Sequence, residues 1–156
     1  MKRRDELEGH AGITSRLELE ILETAALEDL DKVKSLINEC KALGVSTALD
    51  DFGTGYSSMT YFRRLPVDTV KIDQSFVRDM LDDADDLAIV QGILGLTKAF
   101  GKTSVAEGVE LTEQLAVLQS MGCHIAQGYA IGRPMPEQEF LRWIENYKPD
   151  MTWAHC

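Results

Sequence analysis

Five short β-like segments, Leu17 to Ile21, Ser46 to Asp50, Thr69 to Ile72, Thr103 to Ala106 and His124 to Gln127, alternate along this chain with helical ones. Parallel strands need a crossover between them, so this rhythm predicts βα units in a parallel sheet. Leu27 to Leu43 carries Leu30, Val33, Leu36, Ile37, Cys40 and Leu43 at helical spacing and ends at Gly44, where a helix C-cap wants glycine. Asp85 to Phe100 places Leu87, Val90, Ile93, Leu94 and Thr97 on one stripe and stops at Gly101. A third helix is expected from Thr112, read as its N-cap, to Gly122, and a last one over Glu137 to Tyr147, burying Phe140, Trp143, Ile144 and Tyr147. Strands that end in polar clusters predict a barrel of TIM type, whose chemistry lies at the C-terminal strand ends. A complete one takes about 250 residues and eight strands. Five strands in 156 residues therefore predict either an open α/β sheet or an α/β partial barrel with its front strands missing.

Composition removes several function classes. Asp plus Glu number 26 against 16 Lys plus Arg, a formal charge of −10, whereas binding to nucleic acid polymers or anionic membranes depends on Lys and Arg neutralising phosphate. The longest apolar runs fall far short of the roughly 20 residues of a membrane span. No apolar stretch follows Met1-Lys2-Arg3-Arg4, so no signal peptide is expected. Cys40, Cys123 and Cys156 are odd in number and lack CxxC spacing, which fits neither a disulfide framework nor a zinc knuckle and points to a reducing cytoplasm. Cys123 with His124 is read as a buried thiol, because neighbouring strand side chains point to opposite faces.

The strand ends carry the chemistry. Glu18 and Glu20 share one face of the first strand, a pattern that alone reads as a solvated edge. The second strand runs into Asp50-Asp51-Phe52-Gly53-Thr54-Gly55, and two adjacent carboxylates serve one centre only if Asp50 closes the strand and Asp51 has entered the turn. One carboxylate then bridges two cations about 3.5–4 Å apart while the other binds a single ion, as in hydrolases that clamp a phosphodiester. An Asp-Asp turn capping a helix is the plainer structural reading. The third strand places Lys71 between Val70 and Ile72, as a core-wall cation paired with a carboxylate or as a group that orients water. The fourth ends at Glu107-Gly108-Val109-Glu110. Clustered carboxylates without a cation repel one another, so four consecutive strand ends bearing Glu20, Asp50 with Asp51, Lys71 and Glu107 point to Mg²⁺ or Mn²⁺.

Asp50-Asp51-Phe52-Gly53-Thr54-Gly55-Tyr56-Ser57-Ser58, Lys71-Ile72-Asp73, Ala106-Glu107-Gly108-Val109-Glu110, Gln127-Gly128-Tyr129 and Gly132-Arg133-Pro134-Met135-Pro136 together resemble the EAL domain family of bacterial phosphodiesterases, which open cyclic di-GMP to linear pGpG. The likeness runs from about Leu7 to Ile144, within a domain read over 1–147 that leaves Lys148 to Cys156 as a loose tail. It implies that Glu20 and Asp50 bind the first metal and that Asp50 and Asp51 serve the second. It also implies that Glu107 is the catalytic carboxylate for the attacking water, that Lys71 stands beside that water, and that Glu23 steadies the Asp51 to Ser58 loop. Gln127 and Pro134 match positions near a guanine of the substrate, and Glu110 a supporting carboxylate. The reaction implied is in-line attack of water on one phosphodiester, with two cations offsetting the phosphate charge.

The chain departs from the family pattern in lacking the Glu-Ala-Leu signature and the asparagine ligand of the next strand, so two first-metal ligands are absent. The leading expectation is the C-terminal portion of a cyclic di-GMP phosphodiesterase, impaired or inactive alone. A partial barrel exposes sheet edges, which predicts a homo-oligomer formed through them. The alternative is a catalytically silent module that binds cyclic di-GMP or a protein partner, distinguished by tight binding without metal. A purely structural protein is the third reading, and it predicts that Asp50→Asn changes nothing except stability.

Overall fold

The structure is a computed structural model and describes residues 11–54 and 59–148. After a single helical turn, α1 (Ala11–Thr14), the chain forms β1 (Glu18–Leu22), α2 (Glu23–Glu28), α3 (Leu30–Ala42), β2 (Ser46–Phe52), α4 (Met59–Arg64), β3 (Thr69–Ile72), α5 (Gln74–Asp79), α6 (Ala84–Ala99), β4 (Thr103–Ala106), α7 (Thr112–Ser120), β5 (Ile125–Ala126) and α8 (Glu137–Asn146). All strand pairs are parallel, in the order β1-β2-β3-β4-β5. This is the partial-barrel sheet expected from the βα rhythm; among the described residues β1 and β5 are its edges.

Two helix boundaries differ from the sequence reading. The stretch Leu27 to Leu43 breaks at Asp29, which leaves helical geometry and accepts the backbone N–H of Lys32 at 3.0 Å, so that α2 ends and α3 starts on a new N-cap. Thr112 is the first residue of α7 rather than its cap, because Gln114 does the capping: its Oε1 accepts the N–H groups of Glu110 (2.9 Å) and Leu111 (3.0 Å). Its Nε2 donates to the carbonyls of Val77 and Arg78, tying the loop after β4 to α5.

Paired residues of parallel strands share a face. Ile21, Leu49, Val70, Ile72 and Ala106 turn toward the helices and form the core with Ile37, Val90, Leu94 and Leu118. The opposite face is polar and carries Glu18 and Glu20 on β1 and Thr69 and Lys71 on β3. The hydroxyl of Thr69 donates to Glu18 at 2.8 Å, so the Glu face of β1 is turned to side chains of β3 rather than wholly to water. Ala48 pairs with both Glu20 and Thr69, and its methyl group leaves room for this reach across β2.

The last helix overturns an expectation. No residue of α8 is buried; Phe140, Leu141 and Ile144 remain about half exposed. Phe140 and Trp143 of the helix line a groove with Ile125 and Ala126 of β5, and its aromatic rings pack on one another, Trp143 with Tyr147 at 4.4 Å and Phe140 at 6.0 Å between centroids. Leu17, Leu19 and Leu22 at the β1 edge are exposed too. Cys40 and Cys123 are buried free thiols, as read from the sequence, and Cys156 lies outside the described residues. No helix among the described residues is long and apolar enough to cross a membrane.

Candidate metal centre and active site

The site is built where β1, β2, β3 and β4 end. β2 continues past Asp50 to Phe52, so Asp51 is still within the strand, yet it has φ of 54° and the β2–β3 register slips between Leu49 and Phe52. A bulge thus does what the sequence reading assigned to a turn: it breaks the alternation that would send Asp50 and Asp51 to opposite faces. A positive φ in a residue other than glycine is costly, and it is sustained here by the surrounding loop. The backbone N–H of Gly53 donates to Oε2 of Glu23 at 3.0 Å. Glu23 opens α2 and is 1% exposed, so a buried carboxylate anchors the chain immediately after Asp51. Residues 55–58 of that loop lie outside the described residues.

Lys71 is the hub. Its ammonium lies 2.7 Å from Glu20, 3.0 Å from Asp50 and 3.0 Å from Glu107, and the residue is 7% exposed. Burial alone would lower its pKa; the carboxylates of Glu20, Asp50 and Glu107 around it outweigh that and raise it well above the usual lysine value. The carboxyl of Glu107 is shifted upward, since its burial and the nearby Asp50 and Glu20 prevail over the one lysine it shares with them. Asp51 is also pushed up, by burial first and then by Asp50 and by Asp73, with Lys71 opposing.

Ligand oxygens of Asp50, Asp51 and Glu107 lie within 4.8 Å of one another. Asp50 Oδ1 is buried and receives no hydrogen bond; the ammonium of Lys71 is 3.0 Å away but approaches off the bonding direction. A buried, under-satisfied carboxylate oxygen facing two further carboxylates makes an all-oxygen donor set that fits a hard divalent cation.

The structure groups Glu20, Asp50, Asp51, Lys71 and Glu107 at one end of the sheet. Gln127 and Glu110 line a cavity of about 320 Å³ together with Glu107, Gln74, Gly108 and Tyr129. Pro134 lies in a neighbouring groove of about 590 Å³ that shares Gln127 with that cavity and is walled by Tyr129, Phe140 and Trp143. The sequence reading assigned no role to Asp73 or Gln114. Asp73 caps α5 by accepting from the N–H and hydroxyl of Ser75, and its carboxylate is one of the groups that push Asp51 up; its place directly after Lys71-Ile72 was the available signal. Nothing local marked Gln114, whose partners are up to 37 residues away.

Residues 1–134 match the EAL domain family. The chain belongs to that family. As an EAL domain it is 41% identical over 138 residues to a bifunctional diguanylate cyclase/cyclic di-GMP phosphodiesterase, MucR, of Pseudomonas aeruginosa, a match that takes in 88% of this chain and 20% of that protein. The chain therefore spans about a fifth of the length of that curated relative. A solved structure of the PaMucR phosphodiesterase in complex with c-di-GMP superposes with a TM-score of 0.78 at 42% identity, over 81% of this chain and 51% of that one. The manganese/cy-diGMP complex of Klebsiella pneumoniae BlrP1 superposes with a TM-score of 0.71 at 33% identity, over 78% and 31%. Five parallel strands with flanking helices are thus a partial form of the barrel-like EAL fold.

Proposed function

We propose that this chain carries the cation-binding and water-activating part of a cyclic di-GMP phosphodiesterase that yields linear pGpG. The observation that carries the reading is the convergence of Asp50, Asp51 and Glu107 within 4.8 Å of one another, in an EAL domain whose relatives include cyclic di-GMP phosphodiesterases. Glu20, Asp50 and Asp51 would hold divalent cations, whose chemistry when bound is to offset phosphate charge and acidify water. Glu107, with its carboxyl shifted upward, is a better proton acceptor than an ordinary carboxylate and suited to be the base for the attacking water. Lys71, permanently charged, cannot take that proton and instead orients its neighbours. Gln127 and the groove at Pro134 would receive a guanine, with Tyr129 as an aromatic wall and Arg133 4.4 Å from its ring. Glu23 holds the loop that follows Asp51, and Glu110 borders the cavity.

The 156 residues contain no Glu-Ala-Leu tripeptide, so in this reading the chain alone is impaired. Pairing with a second copy through the β1 edge, where Leu17, Leu19 and Leu22 are exposed, and a reducing cytoplasm belong to the same proposal. The test is chromatography of pGpG formed from cyclic di-GMP with Mn²⁺, by this chain alone and within a longer polypeptide that supplies a Glu-Ala-Leu strand and an asparagine ligand. Turnover by the longer form alone is expected. Turnover by the short chain removes the impairment, and none by either removes the phosphodiesterase. In that last case calorimetry with cyclic di-GMP in chelator asks whether the chain is a binding module.

A further inference from the structure

Two sets of contacts overlap at this site. Lys71 meets Glu20, Asp50 and Glu107 through carboxylates from three separate elements, while Asp50 and Glu107 also belong to the trio that, with Asp51, converges on one point. The ammonium makes a well-directed hydrogen bond to Glu20 at 2.7 Å; toward Asp50 it is close but misaligned, and Asp50 Oδ1 stays unbonded. It is thus tied to β1 and neutralises its other partners by charge alone.

We propose that Lys71 is the built-in counter-cation of this site: it stabilises the cation-free fold by sharing Asp50 and Glu107, and it weakens the binding of a divalent ion held by Asp50 and Asp51 beside Glu107. The inference deepens the proposed function and rests on it for the identity of the incoming ion. Without the ammonium, carboxylates packed at three strand ends face one another uncompensated, and removing one partner of a buried ion pair is strongly destabilising. With it, a divalent ion a few ångströms away meets like-charge repulsion in a site of reduced dielectric. A lysine that merely positioned the ligands would act in the opposite sense on affinity, since its loss would loosen them.

The experiment uses the full chain with Lys71→Met and Lys71→Arg, melted in chelator and titrated calorimetrically with Mn²⁺ alone at mildly alkaline pH. Lys71→Met is expected to melt roughly 10 °C lower in chelator and to bind Mn²⁺ about tenfold tighter than the parent chain. Lys71→Arg, which keeps the charge, is expected to melt close to the parent and bind no tighter. A Lys71→Met chain that folds only with Mn²⁺ supports the proposal equally. Unchanged melting in chelator, Mn²⁺ binding no tighter than the parent's, or failure to fold in both conditions overturns it. If the parent chain binds no Mn²⁺, the proposed function and the effect on affinity fall together, while the chelator melt still decides whether Lys71 compensates the carboxylates.

Discussion

The ammonium of Lys71 lies 2.7 Å from the carboxylate of Glu20, although their strands, β3 and β1, are separated by β2. The pair spans a neighbouring strand because Ala48, opposite Glu20, puts only a methyl group in its way. Ion pairs of this reach hold three strand ends to a common centre, and the consequences are measurable one residue at a time.

Asp50 contributes the buried oxygen that receives no hydrogen bond, so its loss should be felt by the cation more than by the fold. A ligand present at a hundred times its dissociation constant stabilises by about 2.7 kcal/mol, which is roughly 5–10 °C in a domain of this size. The parent chain is expected to show a rise of that order with Mn²⁺ in a thermal melt, and Asp50→Asn to show almost none. In a longer form that turns over cyclic di-GMP, the same change should lower the rate by at least about a hundredfold.

Glu107 gives a pH signature. Its folded-state pKa is raised above the unfolded value, by burial first and by Asp50 and Glu20 after it, so the folded chain holds the proton more tightly than the unfolded one. Its favourable contribution is present below the unfolded pKa and is lost as pH rises through the folded pKa; above that point the ionised carboxylate is a net cost. Glu107→Gln in chelator should therefore match the parent in acid and melt slightly higher above the folded pKa, the gap opening as pH climbs through it. Denaturation followed across pH checks the sign, and a gap that opens toward acid contradicts it.

These residues also show what the amino-acid order could and could not reveal. Asp50, Asp51, Lys71 and Glu107 were legible because each follows or interrupts a short apolar run, and a charge there is conspicuous. The parallel order was legible for a similar reason, since each helix stripe stops at a glycine before the next strand. The bulge at Asp51 was not, because a positive φ in aspartate is imposed by contacts such as Gly53 to Glu23, 30 residues apart. The break at Asp29 was hidden by an apolar stripe that runs on from Leu27 through Leu30 and Val33. The exposure of α8 could not be foreseen either: its stripe of Phe140, Trp143, Ile144 and Tyr147 states that one face is apolar, while only the sheet order states what lies against it.

Glu23 links the loop to the bulge, and substitutions there should separate acceptor from packing. Its carboxylate accepts the Gly53 N–H from a position 1% exposed. Glu23→Ala leaves a donor without that acceptor and opens space, with an expected loss of about 1–3 kcal/mol. Because Asp51 sits two residues before Gly53, Mn²⁺ affinity should fall with it. Glu23→Gln retains an acceptor oxygen and should recover a large part of both. Equal behaviour of the two variants in melts and Mn²⁺ titrations contradicts the anchoring role.

The tightest approach in the site concerns backbone rather than charge. A Cβ on Gly128 would lie 2.2 Å from the carbonyl oxygen and 2.3 Å from the nitrogen of Val109, and the same segment is held by the Val109 N–H bonding to Gln127 at 3.0 Å and the Ala130 N–H bonding to Val109 at 2.9 Å. No side chain can rotate away to relieve the contact, so Gly128→Ala must drive the Gln127 segment off the loop that bears Glu107 and Glu110. The expected cost is about 3 kcal/mol or more, roughly 10 °C in a thermal melt. Gly95→Ala is the control: it lies on α6 with nothing within 4 Å of the added methyl and should raise stability by about 0.5–1 kcal/mol through helix propensity. Melting Gly128→Ala as high as the parent chain would show that the two loops are not locked together.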